Sequence, residues 1–372
     1  MRVLMTGGGT GGHVNPALAI AEIIKRNQPD SEIAFIGTER GIENRLVPRA
    51  GYKLYYVNIQ GIRRSLSPSN IKTAYLVLTA PKKAKRIIEE FRPDIVIGTG
   101  GYVCWPALKA AAQMGIPTAV HESNAIAGVA VKQLKDKVDV IMTNFASTAE
   151  GLDAKAKVVR VGNPMNGDFG QYVRAEARER LGIPEHIKTV IVSFGGSLGA
   201  QKLNEAVLEL MKNFCAERED VMHFHASGRN DSENVKRRAA EYGLDKKENI
   251  KISEYIYNMP ELMAAADIII CRAGAMTLSE VAMSRRAAII IPSPNVTDNH
   301  QYKNAKVLSD AGAAVLLQES ELDGGRVLTE RVSALSEDSA AREKMSRAIA
   351  DFAEPDAGRL IYREICELAK KR

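Results

Sequence analysis

The residues best suited to chemistry stand near the start of the chain. Thr6–His13 reads Thr-Gly-Gly-Gly-Thr-Gly-Gly-His, between an apolar, strand-like start and a helical stretch that follows from Pro16. Five glycines among residues 7–12 let backbone amides approach an anion where a helix begins, which is where the helix dipole favours negative charge. Gly7, Gly9 and Gly12 also satisfy the dinucleotide-binding pattern G-x-G-x-x-G. That pattern does not require a histidine, yet His13 sits at the mouth of the helix. The positive helix end disfavours imidazolium, so a neutral ring there suits a general base. Binding an acceptor phosphate or simply holding the loop is the plainer role for the same residue.

The second half repeats the device twice. Ser193-Phe-Gly-Gly-Ser-Leu-Gly-Ala200 leaves one apolar run and enters a helical one, so its amides and the Ser197 hydroxyl form an anion site. Arg272-Ala-Gly-Ala-Met-Thr-Leu-Ser-Glu280 does the same further on. Two such turns at the carboxyl ends of parallel strands fit the two phosphates of one diphosphate. Glu280, inside the second helix, can accept both hydroxyls of a ribose diol; complementing the helix dipole is its plainer role. Glu122, beside Asn124 in His121-Glu-Ser-Asn124, competes with His13 as base. His300 is placed to meet a donor, whereas His186, His223 and His225 are expected on loop or strand without chemistry. No acidic pair adjoins these loops and no Cys/His spacing suggests zinc, so neither metal nor cofactor is expected.

The elements that must position these residues alternate, strand-like with helical, as in parallel α/β proteins. Strands are expected at Val3–Met5, Ile33–Ile36, Ile95–Ile97, Thr118–His121 and Val140–Thr143. The second half adds Val190–Ser193, Met222–His225, Ile250–Ser253, Ile268–Cys271 and Ala288–Ile291. Helical periodicity fills the gaps, as in Leu203–Met211 and Leu278–Met283. The halves echo each other: residues 2–24 and 189–211 both run strand, glycine loop, helix, and Pro93–Gly101 matches Ala266–Gly274 in pattern. Two Rossmann-like domains follow, 1–163 and 164–341, joined near Val161-Gly-Asn-Pro164, where glycine and proline break both periods. The charged tail 342–372, interrupted by Pro355, is expected to cross back onto the first domain.

With 372 residues, 45% of them hydrophobic, the chain can fill two domains. Aromatics are 5%, and the aliphatic load suits sheets buried on both faces. Cys104, Cys215, Cys271 and Cys366 are scattered, which argues against a disulfide framework and for a reducing compartment. With the first strand expected from residue 1 or 2, no secretory leader is expected. The apolar run Ala74–Pro81 is far below the ~20 residues that span a bilayer. The net charge of +6 is uneven: from Asn44 to Ile88 there are ten basic residues and no acid. Lys82, Lys83, Lys85 and Arg86 there adjoin the apolar stretch Ile71–Leu78, a combination that suits an anionic membrane surface. A nucleic acid or a protein partner offers the same complement, and a buried helix with a solvated neighbour is the plainest account.

In order along the chain, Gly8–His13, Gly98-Thr-Gly-Gly-Tyr-Val103, His121–Asn124, Val161–Pro164, Gly195–Ala200, Cys271–Glu280 and Asp298-Asn-His-Gln-Tyr-Lys-Asn-Ala305 resemble the MurG family of peripheral glycosyltransferases. The resemblance covers nearly the whole chain. It implies a GT-B fold, two Rossmann-like domains facing a cleft. It implies inverting transfer of GlcNAc from UDP-GlcNAc to the C4 hydroxyl of MurNAc in lipid I, forming lipid II for peptidoglycan. Such a displacement needs a base and a stabilised leaving group, but no protein nucleophile and no cofactor. The implied donor contacts are Ser197 at the diphosphate, Ile256 at uracil, Gln301 at the sugar, and Ala275, Met276, Thr277, Leu278, Ser279 and Glu280 around phosphates and ribose. Thr10, Gly11, Gly12, Asn124 and Asn166 are the remaining substrate positions. The implied partners are UDP-GlcNAc, lipid I and, through residues 61–90, the cytoplasmic face of the bacterial cell membrane; no nucleic acid is expected.

The chain departs from the family in three places. Asn166 stands where the family usually has an arginine near the donor, and Arg272 or Arg229 is the candidate to compensate. Ser123 replaces a glutamine. Trp105, the only tryptophan, follows a glycine turn, where it meets either lipid or the core. Three other readings carry weight. A nicotinamide-dependent oxidoreductase would use Gly7, Gly9, Gly12 and Glu39, but leaves the second glycine-loop domain without a role. Another UDP-sugar enzyme, a glycolipid synthase or a UDP-GlcNAc 2-epimerase, would share the donor half. A non-catalytic nucleotide-sugar sensor would bind without turnover.

Overall fold

In a computed structural model, which describes residues 1–61, 69–165 and 168–370 (for 69–74 the backbone alone), the strands form two wholly parallel sheets. The first contains β1 (Arg2–Thr6), β2 (Glu32–Gly37), β3 (Lys53–Tyr56), β4 (Ile95–Gly98), β5 (Thr118–Glu122), β6 (Val140–Thr143) and β7 (Lys157–Arg160). Its order is β3-β2-β1-β4-β5-β6-β7. The second contains β8 (Thr189–Phe194), β9 (Val221–Ala226), β10 (Ile250–Ser253), β11 (Ile268–Cys271), β12 (Ala287–Ile290) and β13 (Val315–Leu316). Its order is β10-β9-β8-β11-β12-β13. Strand order reverses between β1 and β4 and between β8 and β11, the places where open α/β sheets bind ligands. The register there is Val3 opposite Ile33 and Ile95, and Ile268 opposite Ile191 and Ala287.

Strand alternation sends neighbouring residues to opposite faces, and both faces are covered. Val3, Met5, Ile95 and Ile97 pack with the helices Gly11–Asn27 and Ala357–Ala369. Leu4, Ala34, Val96 and Val120 pack with the helices Ser69–Phe91 and Cys104–Gln113. In the second sheet Ile191, Ile268 and Ile270 meet Leu203, Val207, Leu328 and Val332. The four cysteines are all free thiols, three of them buried.

The structure adds β3, β7 and β13 to the strands expected from sequence. All three are sheet edges. β7 reads Lys-Val-Val-Arg with both ends exposed, so it lacks the apolar run that marks a strand covered on two faces.

The chain divides into Met1–Asn166 with Glu354–Arg372, and Gly167–Ala353. Two sequence boundaries therefore move. Val161–Pro164 is not a free linker but a buried part of the first unit. The buried His121 ring donates from Nε2 to the Gly162 carbonyl at 2.8 Å. Gly162 has φ +78, and a Cβ there would lie 2.6 Å from Glu354 Cβ. The tail returns to the first unit at Glu354, not at 342. The helix Ser339–Ala350 stays with the second unit because Met345 packs on its core and takes the Ala288 amide at 3.3 Å. The last helix then buries Ile361, Ile365 and Leu368 in the first unit, where Glu364 pairs with Lys157 at 2.6 Å.

The basic region is partly described. Arg63 and Arg64 lie outside the described residues, as does the Lys72 side chain. The helix Ser69–Phe91 buries Ala80, Ala84, Ile87, Ile88 and Phe91. Tyr75 is 66% and Leu78 75% exposed, and Lys82, Lys83, Lys85 and Arg86 are exposed with them. Among the described residues no helix is long and apolar enough to cross a membrane. Trp105 is half-buried against the core, and the Lys109 ammonium lies 4.6 Å from its ring centroid.

Candidate functional site

The first glycine loop is tight because three segments close on it. A Cβ on Gly7 would strike Thr99 Oγ1, and one on Gly8 would lie 2.8 Å from the Glu43 carboxyl. Gly9, at φ +86, sits under the Tyr102 ring. Gly11 and Gly12 have nothing nearer than 3.7 Å, so no packing demands glycine there. Their amides open the helix Gly11–Asn27 without an intrahelical acceptor. Thr10 and Gly12 are exposed.

His13 is partly buried, and its Nδ1 lies 3.1 Å from the Thr99 carbonyl. A carbonyl only accepts, so in the neutral ring Nδ1 carries the proton and Nε2 the lone pair. The Thr99 hydroxyl donates back to the His13 carbonyl at 2.7 Å. Gly100 (φ +99) and Gly101 (φ +81) make room for the ring; a Cβ on Gly100 would lie 2.7 Å from Nδ1. The motifs at 6–13 and 98–103 are thus one construction: the second clamps the histidine of the first.

Glu43, fully buried, escaped the sequence reading. Its Oε2 accepts the Gly9 amide at 3.0 Å, and its Oε1 accepts the Thr38 amide and hydroxyl at 3.0 and 2.7 Å. Glu39, the acid weighed for a nicotinamide ribose, is exposed. Glu122 is 4% exposed. Its Oε1 accepts the Asn124 amide and side chain, both at 3.0 Å, and its Oε2 accepts the Gly128 amide at 2.7 Å. The carboxylate holds its own turn through these three N–H donors. Asn124 lies past β5, two strands from the loop that carries His13. Ser123 sits 3.3 Å from His121 Nδ1, and burial pushes that imidazole down to about 4, so it is neutral.

The second unit closes its glycine loop on backbone alone. Gly199 (φ +87) and Gly228 (φ +76) pack so closely that a Cβ on either would collide with the other turn. The Arg229 amide donates to the Ser197 carbonyl at 3.2 Å, and the Asn230 amide to Leu198 at 3.0 Å. Ser197 is exposed, and so is Arg229. Arg272 is not available to replace the family arginine: it pairs with Glu319 and donates to the Ile291 carbonyl at 3.0 Å. Asn166 itself lies outside the described residues. His223 and His225 are buried on β9, both 2.8 Å from the Ser193 hydroxyl, and desolvation lowers both imidazoles.

The helix Ala275–Ser284 begins at Gly274 with no side-chain cap and no acid in its first turn. Ala275, Met276 and Thr277 lie along that opening turn. Leu278, 2% exposed, belongs to the core, and the Ser279 hydroxyl turns back to the Ala275 carbonyl at 3.3 Å. Of these two, the backbone rather than the side chain is what the helix start offers. Glu280 is partly buried, and desolvation pushes its carboxyl up to about 7. It has no hydrogen bond or ion pair to any described residue, so both oxygens remain to receive hydroxyls. Asn304, fully buried and missed from sequence, ties the next helix to this turn by donating to the Ala273 carbonyl at 3.2 Å.

Gln301 accepts the Ser293 amide through Oε1 at 2.8 Å, which leaves its NH₂ to donate outward. His300 is fixed to the Thr297 carbonyl at 2.8 Å. Ile256 lines a cavity of about 270 Å³ with Leu181, Phe224, Tyr255, Tyr257 and Leu262, an apolar setting for a flat ring. From Ile256 past β10 to Gln301 past β12 the sheet edge spans four strand spacings, about 19 Å. That is room for a nucleotide sugar. Among the described residues no group of three or more His, Cys, Asp or Glu is placed to hold a metal.

Residues 3–143 match the glycosyltransferase family 28 N-terminal domain, and residues 190–360 the family 28 C-terminal domain. A UDP-N-acetylglucosamine–N-acetylmuramyl-(pentapeptide) pyrophosphoryl-undecaprenol N-acetylglucosamine transferase of Thermoanaerobacter sp. is 40% identical over 365 residues, 98% of this chain and 99% of that one. The protein of the same name from Lactococcus lactis subsp. cremoris is 40% identical over 369 residues, 99% of this chain and all of that one. The crystal structure of MurG from Acinetobacter baumannii matches at a TM-score of 0.78 and 32% identity, over 100% of this chain and 99% of that one. A UDP-GlcNAc 2-epimerase from Neisseria meningitidis, bound to UDP-GlcNAc, shares the fold at a TM-score of 0.60 and 16% identity, over 99% of this chain and 100% of that one. Its likeness extends to the fold alone. With both family 28 domains present and full-length identity of 40%, the chain belongs to the MurG family of glycosyltransferases, built as two Rossmann-like domains of the GT-B class.

Proposed function

We propose that the chain transfers GlcNAc from UDP-GlcNAc to the C4 hydroxyl of MurNAc in lipid I, with inversion, giving lipid II. The observation that carries this reading is the full-length 40% identity to transferases named for that reaction. The site supplies matching chemistry. Amides of the loop Gly195–Ala200 and of the helix start at Gly274, with Ser197 and Thr277, receive the diphosphate. Glu280 takes the ribose diol, the Ile256 cavity the uracil, and Gln301 the sugar. As the donor bond breaks, negative charge grows on the UDP phosphate oxygens, where preorganised amides and a helix dipole stabilise it. His13 Nε2 takes the proton of the acceptor hydroxyl, since Nδ1 is committed to Thr99. Thr10, Gly11, Gly12 and Asn124 are substrate-contacting positions on the same reading.

A lipid acceptor places the enzyme at the membrane surface, on its cytoplasmic face. Exposed Tyr75 and Leu78, followed on the same helix by Lys82, Lys83, Lys85 and Arg86, suit shallow insertion beside anionic headgroups. The test of function is transfer of labelled GlcNAc from UDP-GlcNAc to a short-chain lipid I analogue. The expected result is label in a disaccharide-lipid and UDP release only when acceptor is present. UDP or free sugar released equally without acceptor would replace the transferase reading with a hydrolase or epimerase one.

A further inference from the structure

The end of the second sheet opposite the glycine loops holds a cavity of about 280 Å³. Asp267 just precedes β11 and Ala287 opens β12, so the cavity meets the amino ends of the strands whose carboxyl ends carry the donor site. Its charged lining is Arg174, Arg286, Arg342, Asp267 and Glu343. Asp267 is already committed. It pairs with Arg174 through Oδ1, and its Oδ2 accepts Arg178 Nη2 at 2.6 Å and the Val190 amide at 2.8 Å. Glu343 pairs with Arg347 at 3.0 Å. Arg286 Nη2 donates to the Ala264 carbonyl at 2.7 Å, and Arg342 Nη1 to the Ser336 carbonyl at 2.7 Å.

Two donors are left over. Arg174 Nε and Arg286 Nε are both buried and neither has a hydrogen-bond partner. Folded proteins seldom leave such groups unsatisfied. Burial first, and then repulsion from the Arg174 and Arg178 guanidinium groups against the pull of Asp267, depresses the proton affinity of Arg286. Asp267 is the one acid paired into the cluster, and its two oxygens leave both Nε groups without an acceptor. Planar guanidinium forks match the oxygens of a tetrahedral oxyanion.

We propose that this cavity binds a phosphate-type oxyanion, free or as a small phosphate ester, at a site remote from the glycine loops. Inorganic phosphate and a lipid phosphate headgroup share that chemistry. The test follows thermal unfolding of the full chain and of the Arg174→Met/Arg286→Met double variant, with phosphate added against chloride at matched ionic strength. Vesicles of phosphatidylglycerol against phosphatidylcholine form the second arm. A ligand that binds only the folded state raises the midpoint by mass action. The glycine loops, intact in both proteins, contribute equally, so the difference reports this cavity.

The expected result is phosphate binding at least tenfold weaker in the double variant. A difference seen only with anionic vesicles assigns the site to a headgroup, and identical responses to both ligands overturn the proposal. Should the double variant fail to fold, wild-type crystals soaked in selenate decide. An anomalous peak within hydrogen-bond reach of Arg286 Nε supports the site; peaks confined to the glycine loops reject it.

Discussion

The loop after β1 closes on a buried acid, Glu43, and clamps a histidine ring against the Thr99 carbonyl; the loop after β8 closes on the backbone of a second glycine turn at Gly228. Both are strand–glycine–helix entrances at a point where strand order reverses. The first is furnished to hold one titratable group in one orientation. The second exposes amides and a hydroxyl, with Arg229 beside them and, on the neighbouring helix, the Glu280 carboxyl, which has no partner among the described residues. One backbone device is therefore furnished in two ways by the side chains packed behind the loop, and the function proposed above assigns proton transfer to the first and donor recognition to the second.

The largest effect should come from breaking the first loop's function. His13→Asn keeps a polar side chain but removes the proton acceptor, and kcat should fall about 100- to 10,000-fold, the usual worth of general-base help. A kcat near wild type would reduce His13 to a loop support. Next comes the basic helix, which only the first unit carries. Glutamine at Lys82, Lys83, Lys85 and Arg86 should release the protein from anionic vesicles in sedimentation, each charge contributing about 1 kcal/mol. Undiminished binding would move the membrane contact elsewhere.

The smallest effect sharpens the second loop's role. Glu280→Gln should weaken uridine binding by about 1–3 kcal/mol at pH 8. The wild-type carboxyl, raised to about 7, is ionised only above that pH, and the ionised form accepts the ribose hydroxyls. Uridine affinity should therefore rise from pH 6 to 8 and then level off, while the variant stays flat. The folding linkage runs the other way: the stability Glu280 contributes is full below its ordinary carboxyl range and lost as pH rises through 7. A wild-type uridine affinity that does not vary with pH would remove Glu280 from the ribose.

Much of this was legible in the sequence, for a physical reason. Strands covered on both faces must be apolar throughout, so β1, β4, β8 and β11 announce themselves. β3, β7 and β13 lie at edges where solvent relaxes that demand, and they do not. His13 and Glu280 were visible as residue types next to glycine turns. Their settings were not: the carbonyl that fixes His13 comes from Thr99, and the acid that braces its loop from Glu43. Glu122 was visible as a carboxyl beside Asn124, but not the turn it braces through the Asn124 and Gly128 amides. For the helix at 275–284, periodicity alone puts Leu278 on the inward face with Val281 and Ala282, away from Thr277 and Glu280. The arginine cavity beside Asp267 left no sequence signal, because its members are spread from Arg174 to Arg342.

The central claim is that donor recognition and proton transfer reside in different units. The most direct test titrates UDP into wild type, His13→Asn and Glu280→Gln at pH 8 by calorimetry. The account predicts that His13→Asn binds UDP as wild type does while Glu280→Gln binds it more weakly. Loss of UDP affinity in His13→Asn with none in Glu280→Gln would contradict it.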